Sequence, residues 1–119
     1  MAPEKNQTLS PFLREAALDR VGGDSEFLNE LLTLYEEEFE AKRRGLAEAI
    51  ARRDGAKIRG FGHALKGSSA NLSLPGLQEA AAAMEKAGAA GDIVAAQESY
   101  VRLEREYARL KAFLGGSPR

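Results

Sequence analysis

Apolar side chains recur along this chain at intervals of three and four residues, the period of a helix with one buried face. Clusters of glycine, proline and short polar residues cut that pattern into segments. Residues 1–8 are polar and read as a flexible N-terminus. A short helix is expected over residues 10–20, with Leu13, Ala17 and Leu18 on one side. Gly22-Gly23-Asp24-Ser25 ends it. Asp24 or Ser25 can cap the next helix, because a short acceptor side chain satisfies N–H groups that the first turn leaves free. That long helix is expected to run to about residue 53. Phe27, Leu28, Leu31, Leu32, Leu34, Tyr35, Phe39, Leu46 and Ile50 cover a wide arc of it, broader than a coiled-coil seam.

Asp54-Gly55 stops the long helix and starts another, with Asp54 as cap, over residues 56–72. Pro75 suits the first turn of a fourth helix, where its missing N–H costs little. Leu77, Ala80, Ala81 and Met84 form that helix's stripe, and the segment 88–91 is expected to break it. A fifth helix over residues 92–114 carries Tyr100, Leu103, Tyr107, Leu110 and Leu114 inward. β-Branched residues are few and strict alternation is absent, so nothing reads as a strand. The expected fold is all-α: an up-down antiparallel four-helix bundle with a short N-terminal capping helix. Residues 9–114 would form this one domain, and 115–119 a flexible tail or linker stub.

Composition narrows the class. A chain of 119 residues that is 44% hydrophobic can bury a single core. It has no cysteine, which excludes disulfides and thiolate metal sites. The net charge is −1, from 17 basic and 18 acidic residues, and provides no global field for nucleic acid or an anionic membrane. No apolar run approaches the roughly 20 residues that span a bilayer, and residues 1–5 lack the apolar core of a secretion signal. A cytoplasmic, monomeric domain is the expectation.

The single histidine carries the candidate chemistry. His63 lies in Phe61-Gly62-His63-Ala64-Leu65-Lys66-Gly67-Ser68-Ser69. At about 100° per residue, Ile58, Phe61, Leu65, Ser69 and Leu72 share an arc of roughly 80°, and His63 lies about 160° from its centre. The ring therefore points away from the core, on a face shared with Ala56, Arg59, Lys66, Gly67 and Ala70. Arg59 and Lys66 flank it at i−4 and i+3. Positive charge there favours the neutral, nucleophilic imidazole and could hold phosphoryl oxygens. Gly60, Gly62 and Gly67 each cost about 1 kcal/mol against alanine inside a helix. Two explanations stand: access to the ring for a partner or a phosphoryl group, or a tight helix–helix crossing at Gly60 or Gly62. One histidine offers no His-x-x-x-His pair, which argues against a metal enzyme.

The run His63-Ala64-Leu65-Lys66-Gly67-Ser68-Ser69-Ala70-Asn71-Leu72 closely resembles the phosphorylation motif of histidine-containing phosphotransfer (HPt) domains. Residues 18–28, Asp54 before the motif helix, and Leu77 followed by Met84-Glu85 extend that resemblance over nearly the whole chain. It implies that His63 accepts a phosphoryl group on Nε2, that Lys66 assists that group, and that Gly67 leaves room for a partner. It also implies that Glu85, or less readily Gln78, bonds the other ring nitrogen. Gly62 departs from the pattern, in which alanine is more usual, and is expected to loosen the helix locally. The implied partners are the receiver domain of a response regulator, a hybrid sensor histidine kinase, or both, in a bacterial-type phosphorelay. The chain would have no ATP site and no cofactor of its own, with Mg2+ supplied by the receiver. Exposed apolar residues of the long helix, such as Leu32 or Tyr35, could add to docking, although core packing suits them as well. The alternatives are the phosphotransfer domain of a chemotaxis-type kinase and a receiver-binding adaptor that carries no phosphate.

Overall fold

The computed structural model describes residues 9–115, which form five helices and no strand. We label them α1 (Arg14–Arg20), α2 (Ser25–Ala51), α3 (Gly55–Asn71), α4 (Pro75–Ala90) and α5 (Ile93–Gly115). The expected N-terminal segment 1–8 and residues 116–119 of the expected tail lie outside the described residues.

Local chemistry places the boundaries. The Asp24 carboxylate accepts from the Phe27 N–H at 3.0 Å, and the Asp54 carboxylate from the Lys57 N–H at 3.1 Å. The Asp92 carboxylate accepts from the Ala95 N–H at 3.0 Å, so three of the turns share one capping device. Pro75 occupies the first turn of α4. Four boundaries differ from expectation. The short helix starts at Arg14 rather than residue 10. The long helix stops at Ala51, ahead of Arg53, which takes a left-handed φ of 57°. Gly88 does not break α4: the helix continues to Ala90, and Gly91 caps it at φ 69°. Gly115 belongs to α5 rather than to a tail.

The core runs the length of the molecule. Leu28, Leu32, Tyr35, Phe39, Leu46 and Ile50 of α2 meet Ile58 and Leu65 of α3, Leu77 and Met84 of α4, and Leu103, Tyr107, Leu110 and Leu114 of α5, all buried. Leu32 and Tyr35 are thus core residues and are not available for docking. The apolar arc of α2 is narrower than its sequence suggests, because Phe27 and Leu34 are exposed. Leu13 is exposed as well, although it was expected to face inward, and Tyr100 is half-buried. Phe12 and Ala17 anchor the α1 region, and the Leu13 N–H donates to the Ser73 carbonyl at 2.9 Å, tying it to the α3–α4 turn.

The helices are not evenly spaced. Between α2 and α5 the contact is aromatic, the Phe39 and Tyr107 rings stacking with centroids 4.0 Å apart. Arg43 lies against both rings and pairs with Glu40 at 3.3 Å and Glu104 at 3.1 Å. By contrast, α3 and α4 touch backbone to backbone. A Cβ on Gly62 would stand 2.5 Å from the Glu85 nitrogen, and one on Gly88 would stand 2.8 Å from the Arg59 Cα. This close seam brings α4 up to the histidine.

Candidate functional site

The site begins with the rotational phase of α3. Ile58, Leu65 and Ser69 are fully buried, and they fix which way the helix faces. The Ser69 hydroxyl is 2.7 Å from the Tyr35 hydroxyl, so a buried polar pair on α2 and α3 reinforces that phase. Burial pushes the Tyr35 phenol well above its ordinary range, which keeps it a neutral hydrogen-bonding group. His63 consequently emerges on the outer side, with 71% of its side chain exposed.

The ring is oriented by α4. Glu85 reaches across the seam and places Oε2 2.9 Å from His63 Nδ1. Its other oxygen, Oε1, lies 2.7 Å from Lys66 Nζ. One carboxylate therefore holds both motif side chains, and it is itself only 20% exposed. The Lys66 ammonium first, and the His63 contact second, hold the Glu85 carboxyl below its ordinary value. Near neutral pH it is therefore an acceptor only, and the bond requires that Nδ1 carry the proton. In the neutral ring the lone pair then lies on Nε2, which has no partner among the described residues.

The sequence-derived candidates divide cleanly. Glu85, not Gln78, meets the ring; Gln78 is exposed two helical turns earlier on α4. Arg59 is exposed, forms no ion pair with described residues, and lines a depression of about 260 Å³ with Ala56, Gly60, His63 and Glu85. Lys66 is not a free cation beside the ring, because Glu85 neutralises it. Gly60 and Gly67 border open space, which fits access to the ring. Gly62 does not: it is buried in the α3–α4 seam, so the tight crossing accounts for it. Nor does it loosen the helix, which runs unbroken through it. Sequence reasoning missed the Tyr35–Ser69 pair, although a serine on an otherwise apolar stripe was the available sign.

Among the described residues, no three His, Cys, Asp or Glu side chains gather where they could hold a metal, and no helix is long and apolar enough to cross a membrane. No curated protein and no solved structure matches the chain. A family model described as the Hpt domain matches residues 30–113, spanning most of α2 through nearly all of α5 and including every residue of the ring network. Members of that family are helical bundles that carry phosphoryl groups on histidine in phosphorelays and are carriers rather than catalysts. A match over so much of the chain means that this protein belongs to the Hpt domain family.

Proposed function

We propose that this chain is a phosphoryl carrier whose acceptor atom is Nε2 of His63, exchanging the group with an aspartyl phosphate on a receiver domain. The observation that carries this reading is the Glu85 contact at Nδ1, which fixes the neutral ring in the tautomer whose lone pair is on the outward nitrogen. In the forward step the Nε2 lone pair forms the N–P bond while the P–O bond to the aspartate breaks, and the electron pair leaves with the carboxylate. The ring keeps its Nδ1 proton and becomes cationic, and the Glu85 carboxylate stabilises that charge. Lys66, already beside Glu85, can pair with the new phosphoryl oxygens, and Arg59 borders the same ring from the other side. The receiver supplies Mg2+ and its acidic ligands.

The partners are a response-regulator receiver domain and a hybrid sensor kinase, met in the cytoplasm by a monomer in which α2–α5 form an up-down antiparallel bundle and α1 caps one end. Gly67 gives the receiver room beside the histidine. A trough of about 610 Å³ where α2 meets α3, lined by apolar Val21, Leu31, Leu34 and Leu72 and by polar Glu38 and Asn71, offers a further surface. A modest, transient contact fits a group that must be handed on. The test is transfer of labelled phosphate from a phosphorylated receiver to the wild type and to His63→Gln. Acid-labile label on the wild type alone is expected; equal label on His63→Gln would overturn the assignment.

A further inference from the structure

Gly62 immediately precedes the histidine and is buried against α4. A Cβ built there would stand 2.5 Å from the Glu85 nitrogen, 2.8 Å from the Glu85 Cα and 3.1 Å from the Ala81 carbonyl oxygen. All three are backbone atoms, so no side-chain rotation could relieve the contact. The residue opposite Gly62 is the one whose carboxylate orients His63. We infer that Gly62 is a positioning residue: its missing side chain sets the α3–α4 spacing at which the Glu85 carboxylate reaches His63 Nδ1 and Lys66 Nζ together.

Several features support this. The contact is local to the site, since the atoms that Gly62 touches are those that carry the Glu85 side chain. Gly88, one turn further along α4, makes a second backbone contact at Arg59 and Gly55, so the seam is held close on both sides of Glu85. A Cβ on Gly60 or Gly67, the other two glycines of the motif region, would meet nothing, so beside the histidine it is position 62 that makes the close approach. Glu85 uses both oxygens, one per partner, at 2.9 and 2.7 Å. A carboxylate that bridges two groups on a neighbouring helix has little reach to spare, and a shift of α4 by a fraction of an ångström would make it release one.

The inference rests on the carrier reading for its consequence but not for its geometry, and the test keeps the two apart. Gly62→Ala is compared with Ala96→Gly, which loosens a buried position of α5, a helix that carries no residue of the ring network, and serves as the stability control. The first readout is the tautomer of His63, from its two ring-nitrogen shifts near neutral pH. The Nδ1–H form is expected to dominate in the wild type and in Ala96→Gly, and to give way to a mixture in Gly62→Ala. The Glu85 carboxyl should titrate closer to its ordinary value in the same variant. Phosphoryl acceptance should slow by about tenfold to a hundredfold, the scale of a small misplacement at a reacting group. Glu85→Asp supplies an independent arm, because it shortens the side chain at unchanged helix spacing and should also release the ring. A folded Gly62→Ala that keeps the wild-type tautomer and carboxyl titration would overturn the inference, as would an Nδ1–H ring in Glu85→Asp. A wild type that takes up no phosphate would sink the carrier reading and leave the tautomer result standing.

Discussion

Glu85 accepts a hydrogen bond from His63 Nδ1–H at 2.9 Å while its other oxygen holds Lys66 at 2.7 Å, so the tautomer of the ring and the position of the motif lysine depend on one side chain. Removing it as Glu85→Ala should free both. The ring is then expected to populate both tautomers, reducing the fraction with a bare Nε2, and phosphoryl acceptance should slow. Glu85→Gln keeps an acceptor for Nδ1 but loses the ion pair, and should lie between Glu85→Ala and the wild type. Ring-nitrogen shifts and transfer rates on the same samples test this ordering, which fails if Glu85→Gln is as slow as Glu85→Ala.

The network also makes a pH prediction. The Glu85 carboxyl is held below its ordinary value, chiefly by Lys66 and next by His63. A depressed carboxyl contributes stability that is fully present above its unfolded value and is lost as pH falls through the folded one. The His63 contact should therefore persist down through the ordinary glutamate range near pH 4.3 and give way only below it. Following the Glu85 carboxyl carbon by NMR should show that low midpoint. Lys66→Met should return it most of the way, because the lysine is the larger cause. A midpoint unmoved in Lys66→Met would show that the ion pair is not what holds the carboxyl down.

Lys66 itself should matter to chemistry more than to folding. Its side chain is 38% exposed, and an ion pair in that setting contributes at most about 1 kcal/mol. Lys66→Ala is expected to melt within a few degrees of the wild type and to accept phosphate more slowly. A melting temperature lowered by ten degrees or more would assign the lysine a structural role instead.

Much of this site is legible in the sequence, and the reason is periodicity. Ile58, Leu65, Ser69 and Leu72 recur with the helical period, so the outward direction of His63 follows from counting residues, as does its nearness to Arg59, Lys66 and Gly67. What lies across a helix boundary is harder to read. That Glu85 rather than Gln78 meets the ring depends on how α4 is rotated and on how near it comes, and both follow from backbone contact at Gly62 and Gly88. Glycine in a helix signals either a break or a close approach, and only the packed structure tells Gly88 from Gly91. The apolar arc of α2 is wider in sequence than in the structure for a related reason: Phe27 and Leu34 are apolar, but no described helix covers them.

The Tyr35–Ser69 pair invites a double-mutant test. Tyr35→Phe leaves the fully buried Ser69 hydroxyl without its partner, at an expected cost of about 1–2 kcal/mol and several degrees of melting temperature. Adding Ser69→Ala removes the stranded group, so the double variant should be no less stable than Tyr35→Phe alone. A cost that simply adds would show that the two hydroxyls do not depend on each other.

The glycines of α3 should respond to alanine with opposite signs. Gly60 and Gly67 lie within the helix and border open space, so Gly60→Ala and Gly67→Ala should each stabilise the fold by about 0.5–1 kcal/mol through helix propensity. Gly62→Ala gains the same propensity but forces α3 and α4 apart, and overpacking of that kind costs about 1–3 kcal/mol, so the net change should be a loss. Thermal melts of the three variants read the signs directly. Phosphotransfer separates them further. Gly67→Ala should melt higher and yet, if the receiver docks as proposed, exchange phosphate with it more slowly, because the new methyl group would stand on the face that the receiver meets. Gly60→Ala tests whether the depression beside Arg59 must also stay open. If all three variants were stabilised, the seam would tolerate a side chain at position 62, and close approach would not be the reason for glycine there.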